Sequence, residues 1–131
     1  MGDYYFRLSQ TITDTTQRNQ NLEQAAQYYS TAVKVAVSSE LQSKIGFLYS
    51  LGNVYRLLNQ PDKAIQVLEQ GIALKPTTTN LYKFEITLAD IYYKQKDNAN
   101  SLLHAQNALA IAPDNQKQSV QDFITNLESN P

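Results

Sequence analysis

Apolar residues recur along the middle of the chain at spacings of three and four. Ile45, Leu48, Tyr49, Leu51, Gly52, Tyr55 and Leu58 keep that period, Asn59-Gln60-Pro61 interrupts it, and Ala64, Ile65, Leu68, Ile72 and Leu74 resume it until Pro76. A three-and-four spacing places side chains on one face of an α-helix, so the pattern predicts two helices joined by a short turn, an αα-hairpin. Pro61 suits the first turn of the second helix, where its missing N–H would have no intrahelical partner. Gly52 and Ala64 are small where the two helices must approach closely, and Tyr55 and Leu68 are large enough to fill the adjacent space. The Val/Ile/Thr-rich alternation expected of strands is missing, and only four Gly and four Pro punctuate the chain. An all-α fold is expected.

The hairpin is repeated. Leu51 aligns with Leu88, Gly52 with Ala89, Tyr55 with Tyr92, Gly71 with Ala108, Ile72 with Leu109, Leu74 with Ile111 and Pro76 with Pro113, every pair separated by 37 positions. A constant offset that matches small with small, apolar with apolar and Pro with Pro is the trace of a duplicated supersecondary unit. One unit earlier, Ala25 aligns with Ala64, Tyr29 with Leu68, Ala32 with Gly71 and Val35 with Leu74, all at 39. In that first unit the second helix, Leu22 to Val37, carries the pattern. Its first helix, roughly Tyr4 to Arg18, contains Thr11, Thr13, Thr15 and Thr16, which are mediocre helix formers. After Pro113-Asp114-Asn115, Val120, Phe123, Ile124 and Leu127 form one apolar stripe opposite Gln and Asp, which reads as a terminal capping helix. The expected organisation is a single domain of three units, at about 4–37, 43–76 and 80–113, closed by a helix at about 116–129.

These residues resemble the tetratricopeptide repeat family. Its signature is a bulky residue, Leu-Gly or Leu-Ala, Tyr, a later Ala followed four on by an aromatic or Leu, and a terminal Pro. The middle unit carries Leu48, Leu51-Gly52, Tyr55, Ala64, Leu68 and Pro76 at the family's spacing, and the third carries Leu88-Ala89, Tyr92, Ala108 and Pro113. Two departures stand out there: Glu85 replaces the bulky residue and Ser101 the usual Ala. In the first unit Thr13 and Thr16 occupy the places of the small residue and the Tyr. The family unit is about 34 residues long, so the surplus falls between units, at Ser38-Ser39-Glu40 and Thr77-Thr78-Thr79, where it lengthens the connection or the helix that follows. The resemblance implies a right-handed α-solenoid of about three helix-turn-helix units with a C-terminal cap.

Charge and composition narrow the chemistry. Eleven Lys and Arg against 12 Asp and Glu leave a formal net charge of −1, and 42% of residues are hydrophobic. That is enough to bury a core, and the dispersed charge removes the main electrostatic reason to expect nucleic acid. The absence of Cys excludes disulfides, thiolate catalysis and Cys-based metal sites. No stretch approaches the roughly 20 apolar residues that span a bilayer. The opening Met1-Gly2-Asp3-Tyr4 has neither the basic nor the apolar region of a signal peptide. The chain is therefore expected to be soluble and cytoplasmic, with the soluble part of a membrane-anchored protein as the alternative, because Met1-Gly2 could precede an excised domain. The single His104, flanked by Leu103 and Ala105, reads as a packing or surface residue, since a lone His is more often that than a catalyst or ligand. Asp97-Asn98 and Asp114-Asn115 read as loop and capping residues rather than cation ligands. No phosphate loop or nucleophile motif is present. No enzyme, metal or cofactor is expected.

What remains is a surface. In the tetratricopeptide family the first helix of each unit lines a concave groove, so the resemblance implies that residues pointing away from the core on those helices bind a partner. They are Tyr49, Asn53 and Arg56 on the middle unit and Lys83, Ile86, Asp90, Tyr93 and Lys94 on the third, with Arg7, Gln10, Asp14 and Arg18 as counterparts on the first. Asn can hold a backbone amide at both ends, Arg56 and Lys83 can take a carboxylate, and Tyr49 and Tyr93 offer flat area at low entropic cost. The same residues could also be an ordinary solvated helix face. A chaperone-tail carboxylate clamp is only half present. Asn53 and Lys83 coincide with clamp positions, but Tyr49 stands where a Lys and Thr87 where an Arg is expected, so tight binding of such a tail is not expected. The resulting expectation is a non-catalytic scaffold or adaptor that binds a peptide or helical segment of another protein. The alternative is a self-associating or membrane-tethered assembly factor, with apolar surface near Tyr4, Tyr5 and Phe6 to dock on another copy. Its exposed Gln and Asn are similar to those of tetratricopeptide proteins from photosynthetic membranes, which would make its job the assembly or repair of such a complex.

Overall fold

The computed structural model of the protein describes residues 1–130. Those residues form seven α-helices and one 3-10 turn, with no strand. In chain order these are α1 (Gly2–Thr11), α2 (Thr15–Val35), the 3-10 turn Ser38–Glu40, α3 (Leu41–Leu57), α4 (Pro61–Ala73), α5 (Thr78–Lys94), α6 (Asn98–Ile111) and α7 (Asp114–Ser129). They group into two compact units, Met1–Leu74 and the segment from Lys75 onward. None of the described helices is long and apolar enough to cross a membrane.

In the first unit each helix packs on the next. The core joins Leu22, Ala25, Ala26 and Tyr29 of α2 to Leu51 and Val54 of α3, with Tyr5 and Phe6 of α1 and Val67 of α4 packed against it. The α3/α4 hairpin follows the expected pattern. A Cβ added at Gly52 would lie 2.6 Å from Cγ and Cδ2 of Leu68, so the α3 backbone rests directly on that fully buried side chain. Only glycine permits this approach, and its usual cost inside a helix is accepted for it. α3 stops where Asn59 turns left-handed at φ 56°. The Gln60 N–H then reaches Tyr55 O at 2.9 Å and the Asn59 N–H reaches Arg56 O at 3.1 Å, the paired bonds of a Schellman ending. Pro61 opens α4 at its first position.

The start of the chain departs from expectation. Instead of one helix from about Tyr4 to Arg18 and a second beginning at Leu22, α1 ends at Thr11 and α2 begins at Thr15. Ile12 is extended (φ −97°, ψ 127°), and the Asp14 carboxylate accepts the Gln17 N–H at 2.8 Å. The β-branched run Thr11-Ile12-Thr13 is poorly suited to continue a helix, and Asp is among the best residues to cap a new one. Asp14 and Arg18, expected on a first helix, therefore lie at the cap and in the first turns of α2. The two surplus segments also differ. Ser38–Glu40 forms the 3-10 turn, whereas Thr77 caps α5 through the Asn80 N–H at 3.4 Å and Thr78 and Thr79 fall inside that helix.

In the second unit α5 packs on α6 and α6 on α7. Ala89, Ala105, Ala108, Ala112, Val120 and Ile124 form its small-residue core. α5 ends as α3 does, 37 residues later: Lys96 is left-handed at φ 62°, the Asp97 N–H meets Tyr92 O at 2.9 Å and the Lys96 N–H meets Tyr93 O at 3.0 Å. Asp97 then caps α6 by accepting the Asn100 N–H at 3.1 Å and its side-chain amide at 2.8 Å. Those bonds hold its carboxyl below the ordinary carboxylate range. Ser101, buried where the middle hairpin has Ala64, donates its hydroxyl to Ala89 O at 2.8 Å. A buried hydroxyl needs such a partner, and the neighbouring helix supplies it. Val120, Ile124 and Leu127 are the buried stripe of α7.

Candidate functional site

The candidate residues lie on α1, α3 and α5, apart from Asp14 and Arg18 at the start of α2, and each unit presents its own arrangement. In the first unit, helical spacing sends Leu48, Leu51 and Val54 into the core and leaves Tyr49, Asn53 and Arg56 half-buried beside them. The Asn53 amide nitrogen donates to Tyr49 O at 3.3 Å, and its carbonyl accepts the Arg56 guanidinium at 3.4 Å. Tyr49 and Asn53 open onto a pocket of about 160 Å³ that also takes in Phe6 of α1, Tyr29 of α2 and Ser50 of α3. Tyr29 is buried and donates its hydroxyl to the Asp3 carboxylate. Burial first, and then that bond to a neighbouring carboxylate, push the phenol well above its ordinary value. Its ring lies under the first turn of α1, where a Cβ on Gly2 would come within 2.9 Å of it.

In the second unit Lys83 is exposed, and its carbonyl accepts the Thr87 hydroxyl at 2.7 Å. Ile86 is half-buried and packs against the alanine-rich core, so only part of it faces outward. Asp90 and Lys94 form an ion pair at 3.0 Å across one helical turn. Exposed as it is, that pair contributes little to stability. Tyr93 is exposed and meets the Phe123 ring of α7 edge-on, centroids 5.5 Å apart. Tyr82, one turn before Ile86, has its phenol raised by burial.

Two residues that the sequence treated separately meet here. His104 Nδ1 lies 2.7 Å from Glu85 Oε2, the Asn107 amide approaches the same oxygen at 3.4 Å, and the His104 ring stacks on Tyr92 with centroids 5.5 Å apart. Glu85 stands where the middle hairpin has Leu48, 37 residues earlier, and the next helix supplies an imidazole for it. The side chains of both partners are largely buried. The pair is a polar joint between α5 and α6, as the reading of His104 as a packing residue expects.

The sequence reading missed Tyr29 and Ser50 as parts of a site and placed Phe6 only in an apolar patch. Tyr29 had a signal, since it aligns with the large core residue Leu68, but nothing in the spacing shows that a void would form beside it. The exposed aromatics of the first two helices are grouped as well. Tyr5 stacks on Tyr28 with centroids 5.6 Å apart, and Tyr4 meets Tyr5 edge-on at 5.2 Å.

Residues 45–78 match the family model for the tetratricopeptide repeat. They span α3, α4 and the start of α5. No curated protein matches the chain.

Proposed function

We infer, from the match of residues 45–78 to the tetratricopeptide repeat, a unit that serves protein–protein interaction, that the chain is a non-catalytic scaffold or adaptor. In this reading the repeats occupy about 4–37, 43–76 and 80–113, with the helix at about 116–129 as their cap. Their first helices bind a peptide or helical segment of another protein. The supporting observation is the division of labour on α3: one stripe of the matched repeat fills the core, while Tyr49 and Asn53 border an open pocket. Asn53 offers an amide to a peptide backbone, Arg56 and Lys83 offer cations to carboxylates, and Tyr49 and Tyr93 offer rings. The test is affinity capture with the wild type and with an Asn53→Ala, Arg56→Ala, Lys83→Ala variant of unchanged helicity. A partner retained by the wild type and lost by the variant supports the reading. The same partner retained by both overturns the assignment to these helix faces.

A second reading, self-association, is favoured by one observation. Tyr4 and Tyr28 are exposed around the Tyr5 stack, an aromatic surface of the kind found at interfaces. A mass by light scattering that stays monomeric across a wide concentration range removes it.

A further inference from the structure

The pocket of the first unit has the size, walls and edge to choose its occupant. Its volume of about 160 Å³ is close to that of an engineered apolar cavity of about 150 Å³ that stays dry and takes up benzene. It has room for one aromatic ring, with an open side through which the rest of a ligand can leave. Three of the five lining residues, Phe6, Tyr29 and Tyr49, are themselves aromatic. They can meet an entering ring edge-to-face or offset, which an aliphatic side chain cannot exploit. The walls are set before anything enters, because Tyr29 is held by the Asp3 carboxylate and by its close fit under Gly2. A preformed pocket loses little freedom on binding.

The edge is polar. Asn53 makes one bond from its nitrogen and one to its carbonyl, at 3.3 and 3.4 Å, both longer than the usual range of about 2.7–3.2 Å and therefore weak. A primary amide has two N–H groups and two lone pairs, so it can also meet the main-chain amide of whatever carries the ring. The charges at that edge are mixed. The Arg56 guanidinium touches Asn53, while on the other side the Asp3 carboxylate holds the Tyr29 hydroxyl, with Arg7 as a weaker opposing influence.

We propose that this pocket is a specificity site for a phenylalanine side chain on a partner peptide, with the ring inside it and the adjoining peptide amide on Asn53. The proposal deepens the peptide-binding reading and rests on it.

The test has two arms. In the first, isotopically labelled protein is titrated by NMR with three capped dipeptide amides: N-acetyl-Asp-Phe, N-acetyl-Asp-Ala and N-acetyl-Lys-Phe. The Asp-Phe amide should give saturable shifts centred on Phe6, Tyr29, Tyr49, Ser50 and Asn53, with a Kd on the order of millimolar for a ligand of that size. Asp-Ala should give none, and Lys-Phe should give shifts centred on the same residues, because the ring and not the flanking charge is recognised. Ser50→Met, which puts a longer side chain into the cavity, should abolish the Asp-Phe shifts. Asn53→Ala, which leaves the cavity open, should weaken them by about tenfold and serves if Ser50→Met does not fold. No shift with Asp-Phe, equal shifts with Asp-Ala, or no shift with Lys-Phe would overturn the proposal. In the second arm a random-peptide library is selected on the protein. Binders rich in Phe support it, and binders without that preference overturn it while peptide binding itself stands. A library that yields no binders counts against the peptide-binding reading, and the titration still decides the pocket.

Discussion

Glu85 and His104 show how one residue can depart from a pattern if another departs with it. At the equivalent positions of the middle hairpin, 37 residues earlier, stand Leu48 and Val67. Either polar residue alone would be a buried group without its partner, at a cost of about 1–3 kcal/mol. Together they make a 2.7 Å contact. Glu85→Leu and His104→Val should therefore each destabilise by that amount, while the double variant recovers most of the loss, because replacing both members of a buried polar pair with apolar residues is often neutral. Urea denaturation of the four proteins checks this, and additive losses would show that the pair is not coupled. Tyr29 makes a case at alkaline pH. Its folded-state pKa lies above the ordinary 10.0 through burial and the bond to Asp3, so the unfolded chain ionises first. The contribution of this residue is complete below pH 10.0 and is lost as pH rises beyond it. Tyr29→Phe should lower the urea midpoint near neutral pH, where the hydrogen bond is lost, yet show a smaller fall between about pH 9 and about pH 11.

For the elements, the decisive quantity is how closely neighbouring helices approach. α3 contains two glycines with opposite surroundings. Gly46 has nothing within 4 Å of an added Cβ, whereas at Gly52 that atom would overlap Leu68 at 2.6 Å. Alanine is the better helix former by about 1 kcal/mol, so Gly46→Ala should stabilise by up to that amount. Gly52→Ala should destabilise by about 1–3 kcal/mol, since overpacking a buried leucine exceeds the propensity gain. Thermal or urea melts of the two variants give the answer, and a stabilising Gly52→Ala would mean that α3 and α4 can separate without cost. Helix ends are decided just as locally. Asn59 and Lys96 take the same left-handed turn at the same place in two hairpins, which makes the ending a property of the repeat rather than of glycine.

Across the whole chain, two compact units divide seven helices among the described residues. A formal net charge of −1 with both signs dispersed offers no basic stripe for phosphates. The candidate surfaces are mixed: rings, amides and scattered charges of both signs. The candidate residues fall into two sets, one in each unit. Tyr49, Asn53 and Arg56 share one face with the pocket of the first unit, and Lys83, Asp90, Tyr93 and Lys94 share another with Phe123 of α7.

Helix type, the αα-hairpin at 45–74 and its repetition at an offset of 37 were legible in the sequence, because burial on one face of a helix is written as a three-and-four period and a duplicated unit repeats it. The break at Ile12 was not, since four threonines weaken a helix without saying where it ends, and the Asp14 cap decided it. Nor were the pairing of Glu85 with His104 or the pocket at Phe6, Tyr29, Tyr49, Ser50 and Asn53. Spacing along a helix reports which face each residue occupies. Which residues meet across helices, and whether they leave a cavity when they do, depends on the distance and rotation of the packed helices, and those are set only when the tertiary structure forms.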